Sequence, residues 1–178
     1  MVTLKKWTVE ELLALDETGK LNPEKRYELL DGEVYEMQPI GEGHANEMDG
    51  LVERLVLQFS GRARVRSQNP LYLEPHDLPQ PDIALLNPKR DYSKQHPEPQ
   101  DVYLVIEVSD STLAYDRGKK LNRYALAGIR EVWIVNLKDN HTEVYRDPMG
   151  EEYLTRFVVK AGEAVTPLAF PKDSIILL

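Results

Sequence analysis

The run Val102-Tyr103-Leu104-Val105-Ile106-Glu107-Val108-Ser109 limits the possible folds more than any other stretch of the chain. It is almost wholly apolar, which suits a central strand covered on both faces. A helical stretch over 119–127 follows. It places Leu121, Tyr124, Ala125 and Leu126 inward, and Gly128 stops it. Glu131-Val132-Trp133-Ile134-Val135-Asn136 is then a second buried strand. A helix between two buried strands implies a crossover, hence a locally parallel pair. The earlier strands are close enough in sequence to form an antiparallel meander beside it. The expected class is therefore α/β (α+β), a mixed central sheet flanked by helices, with extra strands at the N- and C-terminal ends.

Local signals supply those further elements. Thr8 and Glu11 have the spacing of a capping box opening a helix that ends near Asp16. Tyr27 to Leu30 and Glu33 to Met37 flank Asp31-Gly32, a pair that tolerates the positive φ of a tight hairpin turn. From His44, Met48, Leu51, Val52, Leu55, Val56 and Phe59 recur at helical spacing until Gly61. Arg62 to Ser67 and Leu71 to Glu74 alternate as strands. Pro75 to Pro81 leads into a strand opened by Asp82, and Asn87 to Gln100 is a long polar loop. The tail adds strands over Thr142 to Tyr145, Tyr153 to Val159 and Ser174 to Leu178. At 178 residues, without repeats or a linker, the chain reads as one domain, 1–178.

Composition excludes several classes. There is no cysteine, so disulfides, thiolate zinc sites and cysteine nucleophiles are ruled out. No run approaches 18 apolar residues, and the N-terminus lacks a secretory layout; no membrane span and a cytoplasmic location are expected. A net charge of −8 counts against a nonspecific nucleic-acid binder. It leaves room for an enzyme that gathers its basic residues locally. Arg62, Arg64 and Arg66 alternate in one run, and Arg117, Lys119, Lys120, Arg123 and Arg130 cluster in another. Solvated surface charge explains these clusters equally well.

The chemistry-bearing residues are an acid opening one strand, Asp82, an acid near the end of another, Glu107, and a lysine on the next helix, Lys120. Two carboxylates can hold a hard divalent cation, and cation and lysine together neutralise charge growing on a phosphate. Each residue also has a plainer reading. Asp82 can cap a turn. Glu107 can sit in a structural salt bridge, although burying it unpaired costs several kcal/mol. Lys120 can pair with Asp116 at i, i+4, His44 can cap its helix, and Glu28 can be exposed. His76, His96 and His141 show no metal-ligand spacing, and no phosphate-binding glycine loop occurs.

Pro81-Asp82, Glu107-Val108-Ser109, the Asp116, Lys120, Tyr124 series and Ala127 to Val135 together resemble the Uma-two family, as do Tyr27 to Glu33 and Gly43-His44. That family comprises bacterial restriction endonuclease-like proteins of the PD-(D/E)xK nuclease superfamily. The resemblance spans about residues 24–147. It implies a restriction endonuclease-like fold and makes Asp82 and Glu107 ligands of Mg²⁺ or Mn²⁺. The superfamily lysine usually lies two residues after the second acid, where this chain has Ser109. The resemblance therefore points to Lys120 on the following helix, with Lys119 as the lesser stand-in, and to Glu28 as an additional acid. His44, Tyr124, Arg117 and Arg123 are accessory candidates, the two arginines as contacts to flanking phosphates. The implied activity is metal-dependent hydrolysis of DNA by a homodimer. The alternative is an inactive nuclease fold acting in DNA binding or protein interaction, and nothing in the sequence separates DNA from RNA.

Overall fold

The computed structural model describes residues 2–39, 41–73 and 75–178. Its centre is a six-stranded mixed sheet in the order β3-β4-β5-β6-β7-β8. These strands are β3 (Arg64–Ser67), β4 (Ile83–Leu86), β5 (Val102–Ser109), β6 (Glu131–Asn136), β7 (His141–Met149) and β8 (Glu152–Lys160). Only β5 and β6 run parallel within it; the other pairs are antiparallel. The crossover between β5 and β6 is a helical segment in three parts. It starts as α3 (Leu113–Tyr115), passes through a π turn (Asp116–Lys120) and ends as α4 (Leu121–Leu126). The segment thus begins six residues before Lys119, the expected start.

Two faces of the sheet are filled separately, as strand alternation requires. On one, α2 (Glu42–Phe59) lays Met48, Leu51, Leu55 and Phe59 against Ile83, Leu85, Leu104, Ile106 and Trp133. On the other, Leu121 and Tyr124 pack against Ala84, Leu86, Val105, Val132 and Ile134. β5 and β6 are therefore covered on both sides, which is why neither needs polar alternation. Val56 and Leu126 instead face outward, at 46% and 50% exposure. Both lie at the margin of their helix's apolar stripe, where one residue of rotation decides burial.

Small sheets lie at the two ends of the chain. β1 (Arg26–Leu30) and β2 (Glu33–Met37) form the hairpin, with φ of 51° at Asp31 and 74° at Gly32. Ahead of it, α1 (Val9–Glu17) carries the full Thr8/Glu11 capping box. β9 (Ala164–Val165), absent from the sequence reading, pairs with β10 (Ile175–Ile176). The expected strand at Leu71 to Glu74 does not form over Leu71–Leu73, and Glu74 lies outside the described residues. The N–H groups of Leu71, Tyr72 and Leu73 donate to the carbonyls of Pro79, Pro97 and Asp77, all in loops. Leu71 and Leu73 are buried all the same, so the alternation reported burial without a ladder. β7 and β8 are nine residues each, longer than the apolar runs that announced them. Among the described residues no helix is long and apolar enough to cross a membrane.

Candidate active site

β4 and β5 pair antiparallel with Ile83 opposite Ile106 and Ala84 opposite Val105. This register brings Asp82, just before β4, beside Glu107. The two acids interlock through the backbone. The Asp82 N–H donates to Glu107 Oε2 at 3.2 Å, and the Val108 N–H donates to Asp82 Oδ2 at 2.8 Å. Glu107 shares its face of β5 with Val105 and so points toward α4. There, Tyr124 Oη donates to Glu107 Oε1 at 2.6 Å.

Lys120 ends the π turn and is 2% exposed. Its Nζ lies 2.9 Å from Glu107 Oε1 and 3.7 Å from Glu28 Oε2, and it donates to the Gln80 carbonyl at 3.2 Å. Glu28, fully buried on β1, is fixed in turn by Tyr115 Oη at 2.7 Å and the Gln80 N–H at 3.1 Å. The N-terminal hairpin thus delivers its acid beside Lys120 and Gln80, next to β4 and β5. π turns occur often at functional sites. Here the turn sets Asp116 and Lys120 both toward the sheet, while Lys119 turns away to Glu33 and Tyr35. Asp116 does not pair simply with Lys120 as a surface couple. Its Oδ2 accepts from Ser109 Oγ and Thr112 Oγ1, both at 2.7 Å.

The electrostatics follow from burial. Desolvation raises the Glu107 carboxyl to a pKa of about 8, helped by Asp82 and Asp116 and opposed by Lys120. Burial alone would lower the Lys120 ammonium, but Glu107, Glu28, Asp116 and Asp82 outweigh it and raise its pKa. Lys120 is therefore a fixed cation. Asp116 is also raised, chiefly by burial. His44, near the start of α2, places its buried Nε2 3.5 Å from Asp82 Oδ1, without a closer hydrogen-bond partner among the described residues. The adjacent Asp82 carboxylate nonetheless holds the imidazole pKa up, against burial.

Asp82, Glu107, Lys120, Asp116, His44 and Tyr115 all line one cleft of about 840 Å³. Among the described residues, no three His, Cys, Asp or Glu side chains form a metal-binding group. Two carboxylates lie side by side in the cleft, those of Asp82 and Glu107. They fit Mg²⁺, which keeps several waters and takes one or two carboxylates.

The structure brings together Asp82, Glu107, Lys120, Glu28, Tyr124 and His44. It does not bring in the two arginines. Arg117 lies on fully buried Glu143, which also accepts from Tyr145 and Arg156. Arg123 lies on Asp77, whose Oδ1 also accepts from the Asp31 N–H at 2.7 Å, so this pair anchors the hairpin turn. Sequence reasoning missed Gln80, which serves Lys120 and Glu28 through its backbone, and Tyr115. No side-chain pattern announces a backbone contact, and a lone tyrosine before Asp116 carries no signal.

The comparisons with known proteins bear on the fold and the family. No functionally curated protein matches the chain. The fold is similar to the crystal structure of a "putative nuclease belonging to DUF820" from Anabaena variabilis ATCC 29413, with a TM-score of 0.69 at 16% identity. That match covers 92% of this chain and 94% of the other. A family model matches residues 9–177, nearly the whole sequence, and the chain belongs to that family, Uma2, described as "Putative restriction endonuclease".

Proposed function

We propose that this protein is a metal-dependent nuclease hydrolysing DNA phosphodiester bonds in the cleft at Asp82. The observation that carries this reading is the meeting of Asp82, Glu107 and a buried, permanently charged Lys120 in one cleft. Asp82 and Glu107 would hold Mg²⁺ or Mn²⁺. Such a cation, when bound, supplies Lewis-acid stabilisation of phosphate charge and acidifies a coordinated water. Lys120 keeps its proton, so it serves as a donor to phosphate oxygens and to the attacking water rather than as a base. Glu28 and the Gln80 carbonyl aim that ammonium. Tyr124 orients the Glu107 carboxylate. His44, whose Nε2 lies 3.5 Å from Asp82 Oδ1 in the cleft, is a further donor toward substrate oxygen.

A homodimer that cuts both strands goes with this reading, and DNA is preferred to RNA as substrate on the family description. The test is incubation of the full chain with labelled DNA and RNA oligonucleotides in Mg²⁺, Mn²⁺ or EDTA, beside Asp82→Asn. Cleavage of DNA that needs the metal and Asp82 supports the proposal. Cleavage that survives Asp82→Asn refutes this cleft as its source. The second reading, a nuclease fold kept for binding alone, is favoured by one observation. Arg117 and Arg123 are committed to Glu143 and Asp77, which leaves the acidic cleft few cations for flanking phosphates.

A further inference from the structure

A basic hollow lies beyond the cleft, on the edge strand of the main sheet. Arg66 on β3 is in register with Ala84, two residues past Asp82. Arg66 therefore shares a sheet face with Ala84, on the side packed by Tyr124. Ideal strand spacing puts its Cα roughly 8 Å from that of Asp82. Arg66, Tyr92, Lys94 and His96 help line a hollow of about 560 Å³, within the usual range for small-ligand sites of about 300–1,000 Å³.

Arg66 is poorly satisfied there. Its Nη2 donates to Asn69 Oδ1 at 2.9 Å, but its Nη1 is buried with no hydrogen-bond partner among the described residues. No carboxylate pairs with it among the described ion pairs. Burial and the nearby Arg64 both press its pKa down. Arg64 in turn lies over the Tyr92 ring, 5.3 Å from its centroid. Two guanidiniums are thus held side by side, one with an orphaned donor, at an energetic cost that only an acceptor can offset. Lys94 is exposed at the rim, and among the described residues Glu98 is the one acid lining the hollow.

The hollow and the cleft each share lining residues with a third depression. Arg26 lines both the cleft and this depression, and Leu13 and His96 line both the depression and the hollow. A cation pair, a tyrosine ring and a series of adjoining depressions match what binds single strands. Phosphates meet the cations while unstacked bases lie on aromatic faces. Duplex DNA presents no free base face to Tyr92.

We propose that this hollow is a nucleotide subsite in which Arg66 and Lys94 hold a phosphate and Tyr92 stacks, on the side of its ring away from Arg64, an unpaired base of a single strand running toward the cleft. The inference rests on the nuclease reading for its ligand class, and it adds that the substrate carries a single-stranded segment beside the cleaved bond. The test uses the full chain in EDTA, where no cleavage occurs, and a fluorescent single-stranded DNA oligonucleotide read by anisotropy against a duplex of the same sequence. Arg66→Ala is expected to weaken single-strand binding about tenfold and to leave duplex binding unchanged. Lys94→Ala, at an exposed site that cannot disturb the fold, is expected to lower the salt slope by about 0.7. A deoxynucleoside monophosphate should compete with the oligonucleotide better than inorganic phosphate; equal competition overturns the stacking element. Wild-type-like single-strand binding by both variants overturns the subsite. A cleavage assay in Mn²⁺ runs in parallel. Active wild type with indifferent Arg66 and Lys94 variants sinks this inference alone. Arg66-dependent binding without any cleavage sinks the nuclease reading and leaves the subsite standing.

Discussion

Glu107 should give the metal-free protein a stability that falls as pH rises. Its carboxyl is moved from an ordinary 4.5 to about 8, first by burial, then by Asp82 and Asp116 against the pull of Lys120. The unfolded chain releases this proton near pH 4.5 and the folded chain retains it to about pH 8. Ionisation therefore favours the unfolded state throughout that interval, and the penalty saturates above pH 8. At about 1.4 kcal/mol per pH unit the gap corresponds to a few kcal/mol. His44 adds a smaller loss of the same sign, because its raised pKa stabilises the fold below its unfolded value and the gain disappears as pH climbs. Lys120 is charged in both states over this range and adds no slope. Urea unfolding in EDTA from pH 5.5 to 8.5 would measure the effect in wild type and Glu107→Gln. The variant should be less stable at pH 5.5, where the neutral carboxyl keeps its native contacts. Its relative stability should then rise by about 2–4 kcal/mol toward pH 8.5. Mg²⁺ should flatten the wild-type slope by displacing the proton. A difference between the two proteins that stays constant with pH would mean that Glu107 is ionised throughout, as the anion of a structural pair with Lys120, and the reasoning would fail.

Three further outcomes are expected. Arg117→Ala should cost about 2–4 kcal/mol in urea unfolding, since it strips a partner from buried Glu143, yet leave the salt slope of DNA binding unchanged; a lower slope would make Arg117 a phosphate contact. Glu143 is held down to about 2, with its Arg117, Tyr145 and His141 partners overcoming burial, so it stabilises the fold above about pH 4.5 and should drive acid unfolding as pH falls toward 2, a limb that Glu143→Gln should blunt in a circular-dichroism titration. Mn²⁺ titrated by electron paramagnetic resonance should bind wild type and lose affinity in Asp82→Asn, while Arg123→Ala should lower the melting temperature by freeing the hairpin without changing that affinity; an Mn²⁺ affinity unaffected by Asp82→Asn would remove Asp82 as a ligand.

Much of the frame was legible in the sequence because its signals are local or periodic. The parallel β5–β6 pair followed from two apolar runs with a helix between them, and the Thr8/Glu11 box and the Asp31-Gly32 turn from spacing alone. Leu71 to Leu73 misled because burial alternates there while proline-rich loops, not a strand, take the hydrogen bonds. In the site, Asp82 and Glu107 were visible as carboxylates that a strand cannot bury without compensation. Arg117 and Arg123 misled because their partners, Glu143 and Asp77, lie 26 and 46 residues away. A charge cluster in sequence does not say whether a buried acid waits elsewhere in the fold. The π turn was equally hidden: it changes which way Lys119 and Lys120 face without altering residue types.

Whether Lys120 acts on the scissile phosphate can be read from single-turnover cleavage of a DNA oligonucleotide in saturating Mn²⁺. Lys120→Ala and Lys119→Ala each remove one positive charge from the same turn, but only Lys120 faces the cleft. Lys120→Ala also leaves Glu107 and Glu28 without their cation, so its fold is checked by circular dichroism and by Lys120→Arg, which retains the charge. A catalytic Lys120 means a rate loss of about 10²–10³ for Lys120→Ala, a change of less than about threefold for Lys119→Ala, and partial recovery in Lys120→Arg. Equal, small effects from the two alanine variants in folded protein would contradict it.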